Sequence, residues 1–308
     1  MGGGGGYFRS DPKGLVQKLR ESETRTKNTE YEAKVADLLA SLLTNFNNRD
    51  QEATSRHLEG IKKALEKDIG GTVDLLYGGS VAKHTYVDGL SDIDTLVILD
   101  KSDLVGQSPE SVKKYFASRL QEHLPDSEVT EGQLGVTVGF SDAEIQLLPA
   151  VRYENHVKIA DKTGHEWAQI SPEDFTNILT KTNELKGRKV VPVIKLAKAV
   201  IATLPEKHRI SGYHAESLAV QIFRSYDGDL KPRTMLKHYF REASQAVLEP
   251  IRDRTGQSVH VDDYLGASNN LERKIVSDAF GRVSRRMSNA DDAGSVDEWR
   301  KLFGELGQ

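Results

Sequence analysis

Residues 78–99 read GGSVAKHTYVDGLSDIDTLVIL, and this stretch decides how the rest of the chain is understood. Gly78, Gly79 and Ser80 precede Val81-Ala82-Lys83-His84, residues that tolerate helix. A glycine turn feeding a helix start offers free backbone N–H groups and the positive end of the helix dipole, which is a seat for phosphate. Taken alone, the same residues also make a plain turn with Ser80 as helix cap. Asp92 and Asp94 are two apart, so on a strand they share a face. Side by side, two carboxylates repel unless a cation bridges them. Mg²⁺ suits such a pair, because it takes carboxylate oxygens and keeps sites for phosphate and water. A bare Asp-x-Asp beside Ser91 can otherwise be a solvated loop pair. Thr95 to Leu99 (TLVIL) is a continuous β-rich run, so the pair stands where a buried strand begins.

Upstream, Tyr31 to Phe46 carries Val35, Leu38, Leu39, Leu42, Leu43 and Phe46 at helical spacing. A second amphipathic helix is expected from about Asp50 to Glu66, and a short strand from Val73 to Tyr77. Downstream, Ser108-Pro109-Glu110 is a helix start, with the helix reaching about Leu124. Strand candidates follow at Ser127–Thr130, Leu134–Phe140 and Ala143–Leu148. The short Ser141-Asp142 connection makes the last two antiparallel. A hairpin around Lys162-Thr163-Gly164 spans His156 to Ile170. From Ser171-Pro172-Glu173 onward the pattern is helical: Phe175–Leu185, Val190–Leu204, Tyr213–Tyr226, Leu236–Val247, Leu271–Met287 and Val296–Leu306. The expected fold is α+β, with a mixed, mainly antiparallel sheet in a first lobe and a helical second lobe. The expected divisions are a flexible tail over 1–29, the α/β lobe over 30–165 and the helical lobe over 166–308.

The 308 residues carry a net charge of -4, with 37% hydrophobic and 29% charged residues. This describes a globular chain without a surface-wide affinity for duplex nucleic acid. There are no cysteines, which removes thiolate metal sites and a cysteine nucleophile. No apolar run approaches the roughly 18 residues of a membrane helix. MGGGGGYFRSD lacks the apolar core of a signal peptide and a myristoylation signal. A cytoplasmic location without membrane attachment is the expectation. His84, His208 and His214 fall near the inferred cleft without metal-ligand spacing, so zinc is not expected. Asp262-Asp263 are adjacent and read as a solvated turn or helix cap.

Gly79-Ser80, a dozen intervening residues, then Ser91-Asp92-Ile93-Asp94 opening an apolar strand resembles the DNA polymerase β-type nucleotidyltransferase superfamily. The second lobe narrows this. Trp167, Ser171-Pro172-Glu173, Asn183, the helix from Arg188 to Lys195, Ser211-Gly212-Tyr213-His214-Ala215-Glu216 and Glu298-Trp299-Arg300-Lys301-Leu302-Phe303-Gly304 resemble the bacterial cGAS/DncV-like nucleotidyltransferases (CD-NTases). The resemblance runs from about residue 30 to the C-terminus. It implies an enzyme that joins nucleoside triphosphates, with Mg²⁺ or Mn²⁺, into a cyclic or linear oligonucleotide signal for anti-phage defence. A separate effector protein would read the product, and a nucleic acid could be product or ligand. By the same resemblance, Asp92 and Asp94 hold the metal and act in catalysis. Gly79, Ser80, Lys83, Gln146 and Lys195 contact nucleotide, and Tyr213 stacks on a base. Lys195 and Tyr213 also have plainer readings as a surface lysine and a core tyrosine. Lys83, His84 and Thr85 lie beside the phosphate turn, as secondary contacts or as helix surface.

Family members carry a third carboxylate within a V-D-x-x-P-A phrase. Here the phrase is Ile145-Gln146-Leu147-Leu148-Pro149-Ala150, which puts Gln146 at the acid's place. A neutral amide ligates weakly and cannot take the proton of an attacking hydroxyl. Glu144 lies two residues earlier on the same strand face, about 7 Å away along the strand. Three readings stay open: Glu144 substitutes as a catalytic acid, two aspartates suffice, or the site binds nucleotide without turnover. The alternatives to a signal synthase are a catalytically degenerate binding protein acting through a partner, and a template-free polymerase making longer chains.

Overall fold

The computed structural model describes residues 12–46, 51–67, 72–77, 85, 87, 93–100, 103–132, 134–153, 156–161, 163–170, 172–251 and 261–307. The first lobe contains α2 (Gln51–Glu66), β1 (Thr72–Tyr77), β2 (Ile93–Asp100), α3 (Pro109–His123), β3 (Glu128–Glu131), β4 (Val136–Gly139), β5 (Glu144–Tyr153), β6 (His156–Ala160) and β7 (Trp167–Ile170). These strands form one sheet in the order β1-β2-β5-β4-β3, with β6 on the second half of β5 and β7 on β6. β2 and β5 are parallel, while the other pairs are antiparallel. The expected mixed, mainly antiparallel sheet is therefore present.

Strand alternation divides the sheet into two faces. Val97, Leu99, Val136, Val138, Ile145 and Leu147 pack against Leu58, Ile61 and Leu65 of α2 and Val112, Phe116 and Leu120 of α3. Leu96, Ile98, Ala150 and Ile170 form a smaller apolar cluster with Leu148. Gly135 packs so closely on β5 that a Cβ there would strike the Leu147 carbonyl oxygen.

The second lobe is built from α4 (Pro172–Leu185), α5 (Val190–Ala202), α6 (Gly212–Arg224), α7 (Pro232–Ala246), α8 (Leu271–Asp292) and α9 (Val296–Leu302). Its core unites Val193, Ile194, Leu218, Phe223, Tyr239, Phe280 and Trp299. Among the described residues no helix is long and apolar enough to cross a membrane.

Two divisions differ from expectation. The segment assigned to a tail over 1–29 is helical from Pro12, because α1 runs over Pro12–Asn45. Pro12 suits a first helical position, and no glycine or proline interrupts residues 15–45. Local pairs such as Gln17 to Glu21 (3.2 Å) and Lys34 to Glu30 (2.7 Å) run along it. Moreover, the apolar stripe Val35, Leu39, Leu42 and Phe46 joins the helical lobe's core rather than the sheet's. The Tyr31 hydroxyl donates to Asp291 at 2.8 Å and accepts from Trp299 Nε1 at 2.9 Å, fastening α1 to α8 and α9. The sheet, for its part, continues through β7 to Ile170, past the boundary expected at 165.

Candidate nucleotide site

β2 and β5 are held in register with Ile93 beside Ile145 and Asp94 beside Gln146. On its other edge Gln146 is opposite Thr137, and Glu144 is opposite Gly139. Because Ile145 and Leu147 are committed to the core under α2 and α3, alternation brings Gln146 out on the far face, half-buried, with Glu144 exposed at the strand's start. The turn before Glu144 is fastened from α2. His57 Nε2 lies 2.8 Å from Asp142 Oδ1, and its ring stacks on Phe140 with centroids 3.9 Å apart.

Gly79, Ser80, Lys83 and Asp92, with the expected helical segment Val81–His84, lie outside the described residues. Asp94 is placed by its backbone register. Among the described residues no cluster of three or more acidic, histidine or cysteine side chains forms a metal site. By residue type, Asp94, Gln146 and Glu144 at neighbouring positions of β2 and β5 offer the oxygen chemistry that a hard cation takes, with no cysteine in the chain.

The second-lobe candidates lie on α5 and α6, helices joined by the Lys198–Glu216 pair. Lys195 is buried in α5, and its pKa is lowered first by that burial and then by the charge of Lys198. Tyr213, half-buried in the first turn of α6, packs against Phe175 with ring centroids 4.9 Å apart. The α6 cap is Ser211, whose hydroxyl accepts from the His214 amide at 3.1 Å.

Two features escaped the sequence reading. Lys198 Nζ lies 2.7 Å from Glu216 Oε1, a pair with side-chain exposures of 8% and 1%. The Thr85 hydroxyl also donates to Glu216, and the Thr85 carbonyl accepts from Lys198 at 3.2 Å. The available signal was a lysine among the apolar residues of Val190–Ala202 and a glutamate between Ala215 and Leu218 in Gly212–Arg224. The second feature overturns the solvated reading of Asp262, which is buried and paired with Arg273 at 2.9 Å. Arg273 also donates to the carbonyls of Val247 and Gly266. Beside this pair His214 is fully buried, with Nδ1 2.8 Å from the Tyr264 hydroxyl.

Comparison with known proteins agrees with this architecture. Residues 10–183, more than half of the chain, match the family described as Second Messenger Oligonucleotide or Dinucleotide Synthetase domain. Comparison with curated protein sequences returned no significant match. The E. coli MS115-1 CdnC structure with ATP is similar at 18% identity and TM-score 0.65, covering 88% of this chain and 98% of that one. The Bradyrhizobium diazoefficiens CD-NTase CdnG with GTP is similar at 14% identity and TM-score 0.66, covering 89% and 96%. A variant of the Vibrio cholerae di-nucleotide cyclase DncV, solved with ATP and GTP, gives 12% identity and TM-score 0.63, covering 97% and 92%. The chain belongs to the Second Messenger Oligonucleotide or Dinucleotide Synthetase family, and it has the fold of the CD-NTase structures.

Proposed function

We propose that the chain joins nucleoside triphosphates into a cyclic or linear oligonucleotide signal and releases pyrophosphate. The observation that carries this reading is the Asp94–Gln146 register on parallel strands, which sets the acidic strand beside the strand bearing Glu144. In this reading Gly79, Ser80 and Lys83 bind the triphosphate, Lys195 adds an ammonium from the helical lobe, and Tyr213 offers a base platform. Asp92 and Asp94 would hold Mg²⁺, or Mn²⁺, which when bound supplies positive charge against the phosphates. Glu144 accepts the proton of the attacking ribose hydroxyl, and Gln146 orients nucleotide through its amide. Support for Glu144 comes from its exposure and from Gly139 opposite, which brings no side chain against it.

The product would act in the cytoplasm, in anti-phage defence, through a separate effector protein. A second reading, in which the chain binds nucleotide and acts through a partner without turnover, is favoured by the neutral Gln146 at the third acid's place. Incubation with labelled ribo- and deoxyribonucleoside triphosphates, with Mg²⁺ or Mn²⁺, tests both. Products resolved by mass spectrometry are expected, and their length separates a signal synthase from a polymerase. Bound nucleotide without product under every combination would leave only the second reading.

A further inference from the structure

Between Ser80 and Asp92 the structure describes Thr85 and Val87, and both are fully buried. Both face the helical lobe: Val87 belongs to the core that contains Val193 and Ile194, and Thr85 is bound by Lys198 and Glu216. A buried ion pair is a poor source of stability, since well-packed apolar residues often do as well. Two opposite charges buried on the packed faces of two helices therefore point to another role. Here the pair also binds the hydroxyl and carbonyl of Thr85. Lys198 also lies beneath the first turn of α6, where a Cβ on Gly212 would stand 3.3 Å from its Nζ. Tyr213 is the next residue, and Lys195 is one turn back along α5.

We propose that Lys198, Glu216 and Thr85 form a clamp that fixes Thr85 and Val87 to the helical lobe, where α5 meets α6. The clamp holds together the helices α5 and α6, which carry Lys195 and Tyr213, for nucleotide binding. These are positioning residues, since none needs to touch nucleotide, and the proposal rests on the nucleotide-binding reading above.

The test compares wild type with Lys198→Met/Glu216→Gln, which removes both charges together, and with the milder Thr85→Val. Two quantities are read: amide hydrogen exchange at Thr85 and Val87, and ATP affinity and KM in Mg²⁺. The double variant is expected to exchange faster at both amides and to bind ATP about tenfold more weakly, the size of one lost hydrogen bond to a charged group. KM should rise with kcat held within about twofold, as for lost ground-state binding. Thr85→Val should move both quantities in the same direction by less. Lys195→Ala should weaken ATP binding with exchange at Thr85 and Val87 unchanged. Wild-type exchange rates in both variants would overturn the clamp, as would faster exchange with undiminished ATP affinity. Failure of the nucleotide reading is visible separately, as a wild type that binds no ATP, and it would remove the positioning role even where exchange shows the contact to be real.

Discussion

Asp94 and Gln146 are register partners on adjacent parallel strands, β2 and β5. An acid-bearing position is thus set beside an amide, and the next acid on β5 is Glu144, two residues toward the strand's start. The pairing locates the departure from the family pattern on the sheet itself.

Glu144→Gln is therefore expected to lower the rate of pyrophosphate release about a hundredfold, the usual weight of a lost general base. ATP affinity should stay close to wild type, because the substitution removes a proton acceptor and leaves the phosphate contacts. Adding Gln146→Asp to that variant should restore activity by placing a carboxylate directly beside Asp94. Steady-state assays on the two variants check this, and full activity of Glu144→Gln would remove Glu144 from the mechanism.

Much of the fold was legible because caps and periodicity are local. Ser108 and Pro109 marked the start of α3, where the Ser108 hydroxyl accepts from the Ser111 amide at 3.2 Å. The β4–β5 pairing and the β6–β7 hairpin followed from short connections between apolar runs. The lobe that α1 joins was not legible, since an apolar stripe such as Val35-Leu39-Leu42 says that a helix packs but not on what. Its polar first half showed no apolar period at all. For the candidate site, the family resemblance singled out Asp94 and Gln146, which the strand register sets side by side, whereas Lys198–Glu216 and Asp262–Arg273 were missed. Charge read in one dimension looks solvated, and only the tertiary fold brings each partner across.

Lys195→Ala is expected to raise the KM for nucleoside triphosphate at least about tenfold while leaving the fold intact, as the loss of one charge-assisted contact predicts. Burial first, then Lys198, lowers the pKa of Lys195 from 10.5, so its charge is lost earlier on the alkaline side than that of an ordinary lysine. Nucleotide affinity should accordingly weaken as pH rises toward 10.5, and Lys195→Ala should lack this component. Titration calorimetry across alkaline pH decides it; parallel pH profiles for the two proteins would exclude Lys195 from phosphate binding.

Arg273→Met should destabilise the helical lobe by about 3–5 kcal/mol, since it strands the Asp262 carboxylate inside the protein. Among the described residues, Asp262 would keep a neutral partner, the Ile251 amide at 2.9 Å. Replacing both charges, as Arg273→Met/Asp262→Asn, should cost less than the single change. Urea denaturation measures this, and equal losses for the single and double variants would show that the ion pair is not the source.

His214 should make stability depend on pH in the mildly acidic range. It is fully buried, and among the described residues its Nε2 has no hydrogen-bond partner. Burial pushes its pKa from 6.5 down to about 4, with Asp262 opposing the shift and Arg273 adding to it. Above 6.5 neither the folded nor the unfolded chain protonates this ring. As pH falls from 6.5 toward 4, the unfolded chain takes up a proton that the folded chain refuses, so folding stability declines. The slope from this one group approaches about 1.4 kcal/mol per pH unit. His214→Asn retains a polar group beside the Tyr264 hydroxyl but cannot titrate. Its stability, measured by urea denaturation at intervals from pH 7 to about pH 5, a window above most carboxylate titration, should lack this component. A variant that loses stability as steeply as wild type over that window would show that His214 is not the group responsible.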